Sequence, residues 1–265
     1  MSGQTTTRKH VFSKKIDAFF KGLADAWRFV KRFFQEVFVP PYEFKEVIHQ
    51  CYRIGVESLP LISLTGFIVG IVFTNQSRPS LSEFGATSWL PSLIAIAIVR
   101  AMGPLVTALI AAGKVGSGIG AEIASMKVTE QIDALRTLAA HPVDTLVVPR
   151  FLALLASAPL LTAQSVVVGI ISSWLVGVHL LGIDSAYYLV NMTRYTDPQD
   201  VLTGLIKSVV FGAIIAVVSC YKGLTCQGGA EGVGKATTEA VVVASISILI
   251  TNFFLTLFLS RVFYP

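Results

Sequence analysis

Five long segments of this chain carry almost no charged side chains, and they decide which class of fold it can adopt. They are residues 58–77, 84–113, 151–183, 201–221 and 240–260, interrupted only by Arg100 and Lys207. Each is close to or above the length of about 20 residues with which an α-helix crosses the bilayer. The sequence therefore predicts an all-α integral membrane protein with five transmembrane helices.

The overall composition supports a membrane location. Hydrophobic residues make up 53% of the chain and charged residues only 14%, whereas soluble domains carry about a quarter charged residues. The cysteines Cys51, Cys220 and Cys226 lack metal-ligand spacing. We expect them to fill apolar space, and we predict neither a metal site nor a catalytic site.

A basic amphipathic segment precedes the first apolar segment. Between residues 12 and 38 the apolar positions recur at steps of three and four, which predicts one helix. These positions are Phe12, Ile16, Phe19, Phe20, Leu23, Trp27, Val30, Phe34 and Val37. Basic residues occupy the other faces, a pattern typical of a helix lying in the headgroup plane; a helix packed against a protein core is the alternative. We divide the chain into this segment, residues 1–55, and a membrane domain, residues 56–265.

The distribution of Lys and Arg predicts the orientation. Ten of the 21 basic residues precede residue 54, and the connections at 114–150 and 222–236 hold four and two. The connections at 78–83 and 184–200 hold one each. Cytoplasmic connections carry the excess of basic residues. We therefore expect a cytoplasmic N-terminus and, after five crossings, a C-terminus outside.

The longest polar connection, residues 113–144, is predicted to contain a short helix. Thr129 is a candidate N-cap, and Glu130 in the first turn suits the helix dipole. One stripe carries Ile132, Leu135 and Leu138, and another carries Glu130, Asp133 and Thr137. One face could then rest on the membrane domain while the other meets a soluble partner. A solvated helix without a partner has the same pattern.

The same region carries a resemblance to a known family. The run FGATSWLPSLIAIAIVRAMGPLVTALIAAGKVGSGIGAEIASMKVTEQIDALRTLAAHPVDTLVVPR, residues 84–150, closely resembles the MlaE/YrbE permeases, which are the membrane subunits of ABC systems that move lipids with MCE proteins. The resemblance continues through LIKSVVFG, residues 205–212, and GVGKATTEAVV, residues 232–242. The motif AEI-M-VTEQIDAL is long and distinctive.

The resemblance implies a permease that moves phospholipid between the inner membrane and a periplasmic MCE protein. It implies a homodimer, two copies of a separate ATPase on the cytoplasmic face, and a ring of MCE proteins outside. This chain would need no cofactor, since ATP and magnesium would bind the ATPase. The residues implied in coupling to the ATPase are Glu122, Lys127, Thr129, Glu130, Asp133 and Arg136. Similar permeases occur in plastid envelopes, but the N-terminus does not resemble a transit peptide, which favours a bacterial inner membrane.

Arg100 is the candidate for contact with a lipid. A charge within an apolar span costs roughly 2.5–3.5 kcal/mol and normally faces an internal cavity. We expect Arg100 to bind a headgroup phosphate, assisted by Asn75, Gln76 and Arg78 at the outer end of the first span. A structural arginine paired with backbone carbonyls or with Glu83 is the alternative. The family commonly has Glu where this chain has Ala101, which removes the obvious carboxylate neighbour of Arg100.

Two glycine-containing motifs leave alternatives open. Gly66 and Gly70 form a GxxxG pair, a frequent helix contact, which could lie at a dimer seam or within one protomer. GGAEGVGKATT, residues 228–238, approaches a phosphate-binding loop, but Ala236 replaces the required hydroxyl and no strand precedes it. We interpret the stretch as a flexible turn before the last span, near the ATPase but without a nucleotide of its own.

Two other classes of function compete with a lipid permease. One is a membrane-embedded lipid-modifying enzyme, which is disfavoured because no acid–base cluster has motif spacing. The other is an ATP-independent channel or scaffold. The basic residues are concentrated beside apolar spans, so their expected partner is an anionic membrane face and not a nucleic acid.

Overall fold

A computed structural model describes residues 28–31, 33, 44–138 and 143–263. Every regular element in these ranges is helical. Five helical segments are long and apolar enough to cross a membrane: Phe44–Glu83, Thr87–Val128, Thr145–His179, Pro198–Leu224 and Gly229–Phe263. We refer to them as the first to fifth spans. The prediction of an all-α membrane protein with five spans is confirmed.

The α-helices of the described ranges are numbered in chain order. They are α1 (Phe44–Gly55), α2 (Leu59–Glu83), α3 (Leu90–Ala97), α4 (Gly103–Ala111), α5 (Ser117–Val128), α6 (Gln131–Thr137), α7 (Val148–His179), α8 (Ser185–Arg194), α9 (Pro198–Leu224) and α10 (Gly229–Phe263). Short irregular turns join several of them. Val56–Ser58 and Thr87–Trp89 are 3₁₀ turns, and Ile98–Met102, Ala112–Gly116 and Val143–Val147 are π-helical turns.

The helical spans are longer than the apolar segments that predicted them. The first begins at Phe44 and not at residue 58, so the proposed domain boundary at 55/56 falls inside it. The second continues to Val128 and thereby includes α5. Absence of charge marks only the part of a helix that lies in lipid, whereas the backbone hydrogen bonds continue into polar residues beyond it.

The core forms around α7, which packs against α2 and α9, while α5 packs against α9 and α10. Small residues permit these close contacts. A Cβ on Gly66 would lie 2.7 Å from the backbone oxygen of Ser165, and one on Gly70 would overlap Gly169 and Ser172. The GxxxG pair therefore packs against the third span of the same chain, which resolves the alternative in favour of contact within one protomer.

The described part of the N-terminal segment packs against the core. Phe33 is fully buried, with its ring 4.7 Å from that of Phe151, and the ring of Phe29 lies 5.3 Å from that of Tyr221. The predicted stripe included neither Phe29 nor Phe33, so it was misplaced on this turn. The rest of the predicted amphipathic helix lies outside the described residues.

Helix α8 was not predicted, since residues 184–200 were interpreted only as a connection. The Asp184 carboxylate accepts a hydrogen bond from the Tyr187 amide at 2.9 Å and caps the helix. Tyr188 is fully buried, and its hydroxyl donates to Ser173 Oγ at 3.2 Å. A Cβ on Gly177 would overlap the Tyr188 ring. This helix therefore packs against the third span.

The interpretation of GGAEGVGKATT as a flexible turn is wrong. Helix α10 begins at Gly229, so nearly all of the motif is helical. The chain reverses at Gly228 and Gly229, whose φ angles are 91° and 53°. Ala236 is buried in a small cluster with Ala124 and Cys226. The alanine at the position where a nucleotide loop needs a hydroxyl is therefore a packing residue.

Candidate functional site

Glu122 is the centre of an ion-pair network that joins three spans. Its carboxylate accepts from Arg53 Nη1 at 3.1 Å and lies 3.2 Å from Arg150 Nη2. Arg53 is on α1, Glu122 on α5 and Arg150 on α7. The Arg150 side chain is only 5% exposed, and it also donates to the Leu146 carbonyl at 2.7 Å. We call the end of the molecule that contains this network the basic end. Glu122 is thus directed into the bundle.

A second charged cluster holds the turn between α5 and α6. Lys127 Nζ lies 3.2 and 3.0 Å from the two oxygens of Asp133, and Arg136 Nη1 donates to Asp133 at 2.9 Å. The hydrogen bond from Lys127 is the main cause that lowers the pKa of Asp133 below its ordinary value of 3.8. The stabilisation is therefore present at neutral pH and is lost as the pH falls through the lowered pKa.

The predicted N-cap of this short helix is wrong. Thr129 ends α5 instead, and its hydroxyl donates back to the Ser125 carbonyl at 2.9 Å. Glu130 occupies the position before α6, with a left-handed φ of 60°. Its carbonyl accepts from the amides of Asp133 and Ala134. A non-glycine residue in this conformation is uncommon and indicates a tightly determined turn.

One side of α6 is anchored and the other is open. Ile132 is fully buried and Leu135 is partly buried, as predicted, but Leu138 is 77% exposed and does not complete the apolar stripe. Arg136 and Thr137 are also exposed. The end of α6 therefore offers an apolar side chain and polar groups to the solution, which is a suitable surface for a protein contact.

The mid-span charges meet within the helical bundle. Arg100 lies on the π-helical turn of the second span, with Nη1 3.9 Å from Asp200 Oδ1 at the start of α9. Lys207 is 1% exposed and donates to the Arg100 carbonyl at 3.3 Å and to Thr256 Oγ1 at 2.9 Å. Spans two, four and five thus contribute to one cluster that contains Arg100, Asp200 and Lys207.

Asp200 supplies the carboxylate that Ala101 does not. The adjacent carboxylate is missing at Ala101, as the sequence indicated, but Asp200, 100 positions away, lies 3.9 Å from Arg100. Asp200 also closes a capping box at the start of α9, since it accepts from the Asp197 amide at 3.2 Å. That local motif was the available signal, but it gives no information about Arg100.

Unsatisfied polar atoms lie beside the Arg100 cluster. Thr203 precedes Lys207 by four residues and Asn252 precedes Thr256 by four, so each lies one turn along the same helix face. Within the described residues, Thr203 Oγ1 and Asn252 Oδ1 are buried without a hydrogen-bond partner. The fourth and fifth spans therefore meet along an unusually polar seam, which sequence analysis missed.

The remaining predicted headgroup residues lie on the last turns of α2. Asn75, Gln76 and Arg78 are exposed, and the helix continues past them to Glu83. Arg100 instead lies 3.9 Å from Asp200 on the fourth span. In the part of the chain that the structure covers, no group of three His, Cys, Asp or Glu residues could hold a metal ion.

Comparison with known proteins identifies the family. The family described as Permease MlaE matches residues 47–258. A probable ABC transporter permease protein of Rickettsia prowazekii (strain Madrid E) is 43% identical over 217 residues, covering 82% of this chain and 84% of the relative. The intermembrane phospholipid transport system permease protein MlaE of Haemophilus influenzae is 37% identical, covering 80% and 82%. The chloroplastic protein trigalactosyldiacylglycerol 1 of Arabidopsis thaliana is 38% identical, covering 81% and 61%.

These matches decide between the competing classes of function. The relatives are named as permease subunits, and the family match covers most of the chain. The chain is thus a multi-pass permease and not a lipid-modifying enzyme. It belongs to the MlaE family of ABC transporter permeases.

Proposed function

We propose that this permease moves phospholipid between a bacterial inner membrane and a periplasmic MCE protein, driven by two copies of a separate ATPase. The observation that carries the lipid assignment is the buried cluster of Arg100, Asp200 and Lys207 between apolar helices. The MlaE name of the Haemophilus influenzae relative, which refers to phospholipid transport, supports the same substrate. ATP and magnesium belong to the ATPase in this proposal, and the chain itself holds no cofactor.

The Arg100 cluster has the chemistry that a phosphate diester needs. Arg100 and Lys207 place two cationic groups among apolar helices, where electrostatic attraction to a phosphate is stronger than in water. The Arg100 side chain is 29% exposed, whereas Asp200 is 5% exposed. In this proposal Asp200 orients the guanidinium, and the planar set of donors on Arg100 binds the phosphate. Asn75, Gln76 and Arg78 guide the headgroup at the end of α2.

Coupling to the ATPase is assigned to the α5–α6 turn. The partner docks against the open end of α6, and the contacts of Lys127 and Arg136 with Asp133 keep that turn rigid. Thr129 and Glu130 fix the direction of the turn. Movement of α6 reaches α5 directly and then α1 and α7 through Glu122. The nucleotide cycle thereby acts on the second span, which carries both Glu122 and Arg100, and on the first and third spans joined to it.

The fifth span supports the proposal of a homodimer. Only 11% of its most apolar stretch is buried, against 44% in the fourth span. Its exposed apolar residues include Val242, Ile246, Leu249, Ile250, Phe253, Phe254, Leu257 and Phe258. A second copy and the transported lipid would cover this surface. In this proposal the basic end is cytoplasmic, and the MCE ring binds at the opposite end.

Replacement of Arg100 tests the lipid assignment. The purified transporter complex is analysed by native mass spectrometry for retained phospholipid, and transfer to the MCE protein is measured in proteoliposomes. Arg100→Ala should reduce both, whereas Arg194→Ala, which removes an arginine from α8, should change neither. Unchanged lipid retention and transfer in Arg100→Ala would refute the headgroup assignment.

Deletion of residues 127–138 tests the coupling assignment. The ATPase should no longer co-purify with this variant, while the membrane domain still elutes as a folded species. Arg194→Ala, which removes a charge from α8 at the opposite end of the molecule, is the control and should retain the ATPase. An intact complex after the deletion would contradict the assignment of α6 as the docking element.

A further inference from the structure

A polar cavity lies between the first two spans at the basic end, separate from the Arg100 cluster. Its volume is about 170 Å³, far above the roughly 10–15 Å³ that a single water requires. The residues that bear on its chemistry are Arg53, Ile54, Glu57, Lys114, Ile119 and Glu122. The cavity is therefore large enough for a group of several non-hydrogen atoms.

Helix irregularities face each other across this cavity. On one side, α1 passes into α2 through the 3₁₀ turn Val56–Ser58, and on the other the second span contains the π-helical turn Ala112–Gly116. Lys114 on the π-helical turn donates to the Glu57 carbonyl on the 3₁₀ turn. Such local departures from α-helix geometry often mark functional sites.

The sequence places the cavity at the membrane boundary. Glu57 is the last charge before the uncharged segment 58–77, and Lys114 is the first charge after residues 101–113. Both therefore mark the level at which hydrocarbon gives way to headgroups. Lys114 follows Arg100 by 14 residues in the same span, which is roughly 20 Å along a helix at 1.5 Å per residue. One headgroup cannot occupy both sites.

The charges around the cavity favour a zwitterion. In the described part of the chain, no carboxylate pairs with the Lys114 ammonium, which bonds to a backbone oxygen. Arg53 uses one nitrogen on Glu122, whose other oxygen is paired with Arg150. The Glu57 carboxylate accepts no hydrogen bond from a described residue. Lys114 and Arg53 can thus donate hydrogen bonds to a phosphate, and the neighbouring Glu57 can accept hydrogen bonds from an ammonium group. Apolar atoms of Ile54 line the same cavity.

We infer that this cavity binds the headgroup of an aminophospholipid in the leaflet at the basic end. The phosphate lies on Lys114 and Arg53, and the primary ammonium lies on Glu57. The first carbons of the lipid pack against Ile54 and Ile119. A free phosphate ion could share the cationic contacts, but it would leave Glu57 and the apolar wall without a partner. The bound lipid links the first two spans and is not the transported cargo.

Native mass spectrometry of the full-length purified protein, titrated with defined lipids, tests this site. Lys114→Gln should lower the affinity for phosphatidylethanolamine about tenfold, since it removes a charge-assisted bond to the phosphate. Lys114→Arg should retain most of that affinity. Lys45→Gln, the same charge change on α1 outside the cavity, should have no effect. Equal losses in Lys45→Gln and Lys114→Gln, or no loss in either, would overturn the inference.

A second series tests the ammonium contact and the source of the phosphate. Glu57→Gln should lower the affinity for phosphatidylethanolamine but not the affinity for phosphatidylglycerol. Glu231→Gln should lower neither affinity. Inorganic phosphate is the competitor; displacement of the lipid at equal concentration would show a site for free phosphate and refute a lipid site.

All titrations are repeated in an Arg100→Ala background. The effect of Lys114→Gln should persist there, so that failure of this inference and failure of the transport proposal are separately visible. If the effect of Lys114→Gln disappears in that background, the two positions act on one lipid and the separate site is refuted.

Discussion

Individual side chains explain how the basic end is held together. Glu122 resembles an exposed coupling residue in the sequence, yet its carboxylate bridges Arg53 and the buried Arg150. A buried cation that loses its partner is costly, whereas an exposed ion pair contributes little. The three residues should therefore differ in their effects on stability according to burial.

Glu122→Gln should destabilise the protein by about 1–3 kcal/mol, since it leaves the buried Arg150 guanidinium without its carboxylate partner. Arg53→Gln should lower the stability less than Glu122→Gln does, because the Arg53 side chain is 51% exposed. Thermal unfolding in detergent, followed by tryptophan fluorescence, measures both. Glu130→Gln on the neighbouring turn serves as the control. Equal melting temperatures for Glu122→Gln and Glu130→Gln would contradict a stabilising network.

Gly66→Ala tests the contact between the first and third spans. A Cβ would lie 2.7 Å from the Ser165 backbone oxygen, which cannot rotate away, so the variant should be destabilised by about 1–3 kcal/mol. Gly113→Ala is the matched control, because a Cβ there meets no atom within 4 Å. Chemical denaturation in mixed micelles compares the two. If both variants unfold alike, the close approach at Gly66 does not limit packing.

At the level of helices, the lengths of the uncharged apolar segments correctly predicted five membrane spans. Such segments are long enough to cross the bilayer, and their transfer into lipid is favourable. The ends of the helices were misjudged, since polar residues at 44–57 and 114–128 continue the same helices. Helix α8 was missed although Asp184 is an ordinary N-cap residue. The pairing of Arg100 with Asp200 had no sequence signal, because it depends on how two spans pack.

The helical start of α10 makes a prediction about the motif GGAEGVGKATT. Gly234 lies in the helix with open space around it, so Gly234→Ala should stabilise the protein by up to about 1 kcal/mol. Gly228 has a φ of 91°, and Gly228→Ala should destabilise it by about 1–2 kcal/mol. Melting temperatures of the two variants should shift in opposite directions. No shift in either would indicate a flexible turn.

At the scale of the whole molecule, the two ends of the helical bundle differ in charge and in structure. The Glu122 network, the α5–α6 turn and the Lys222–Glu239 pair, at 2.8 Å, lie where the spans begin or end at the basic end. The opposite end carries α8 and the exposed rings of Trp89 and Tyr195. The positive-inside rule therefore predicts that the basic end lies in the cytoplasm.

Single-cysteine labelling tests this orientation. The background is a variant without Cys51, Cys220 and Cys226. Ser80→Cys, near the end of α2, and Glu231→Cys, at the start of α10, are introduced separately and place a thiol at opposite ends of the molecule. Both positions are exposed, so a maleimide can reach them. A membrane-impermeant maleimide applied to spheroplasts should label Ser80→Cys at once and Glu231→Cys only after lysis. A permeant maleimide labels both and controls for reactivity. The reverse order of labelling would show that the molecule has the opposite orientation. Helix α6 would then lie outside the cell, where it could not contact a cytoplasmic ATPase.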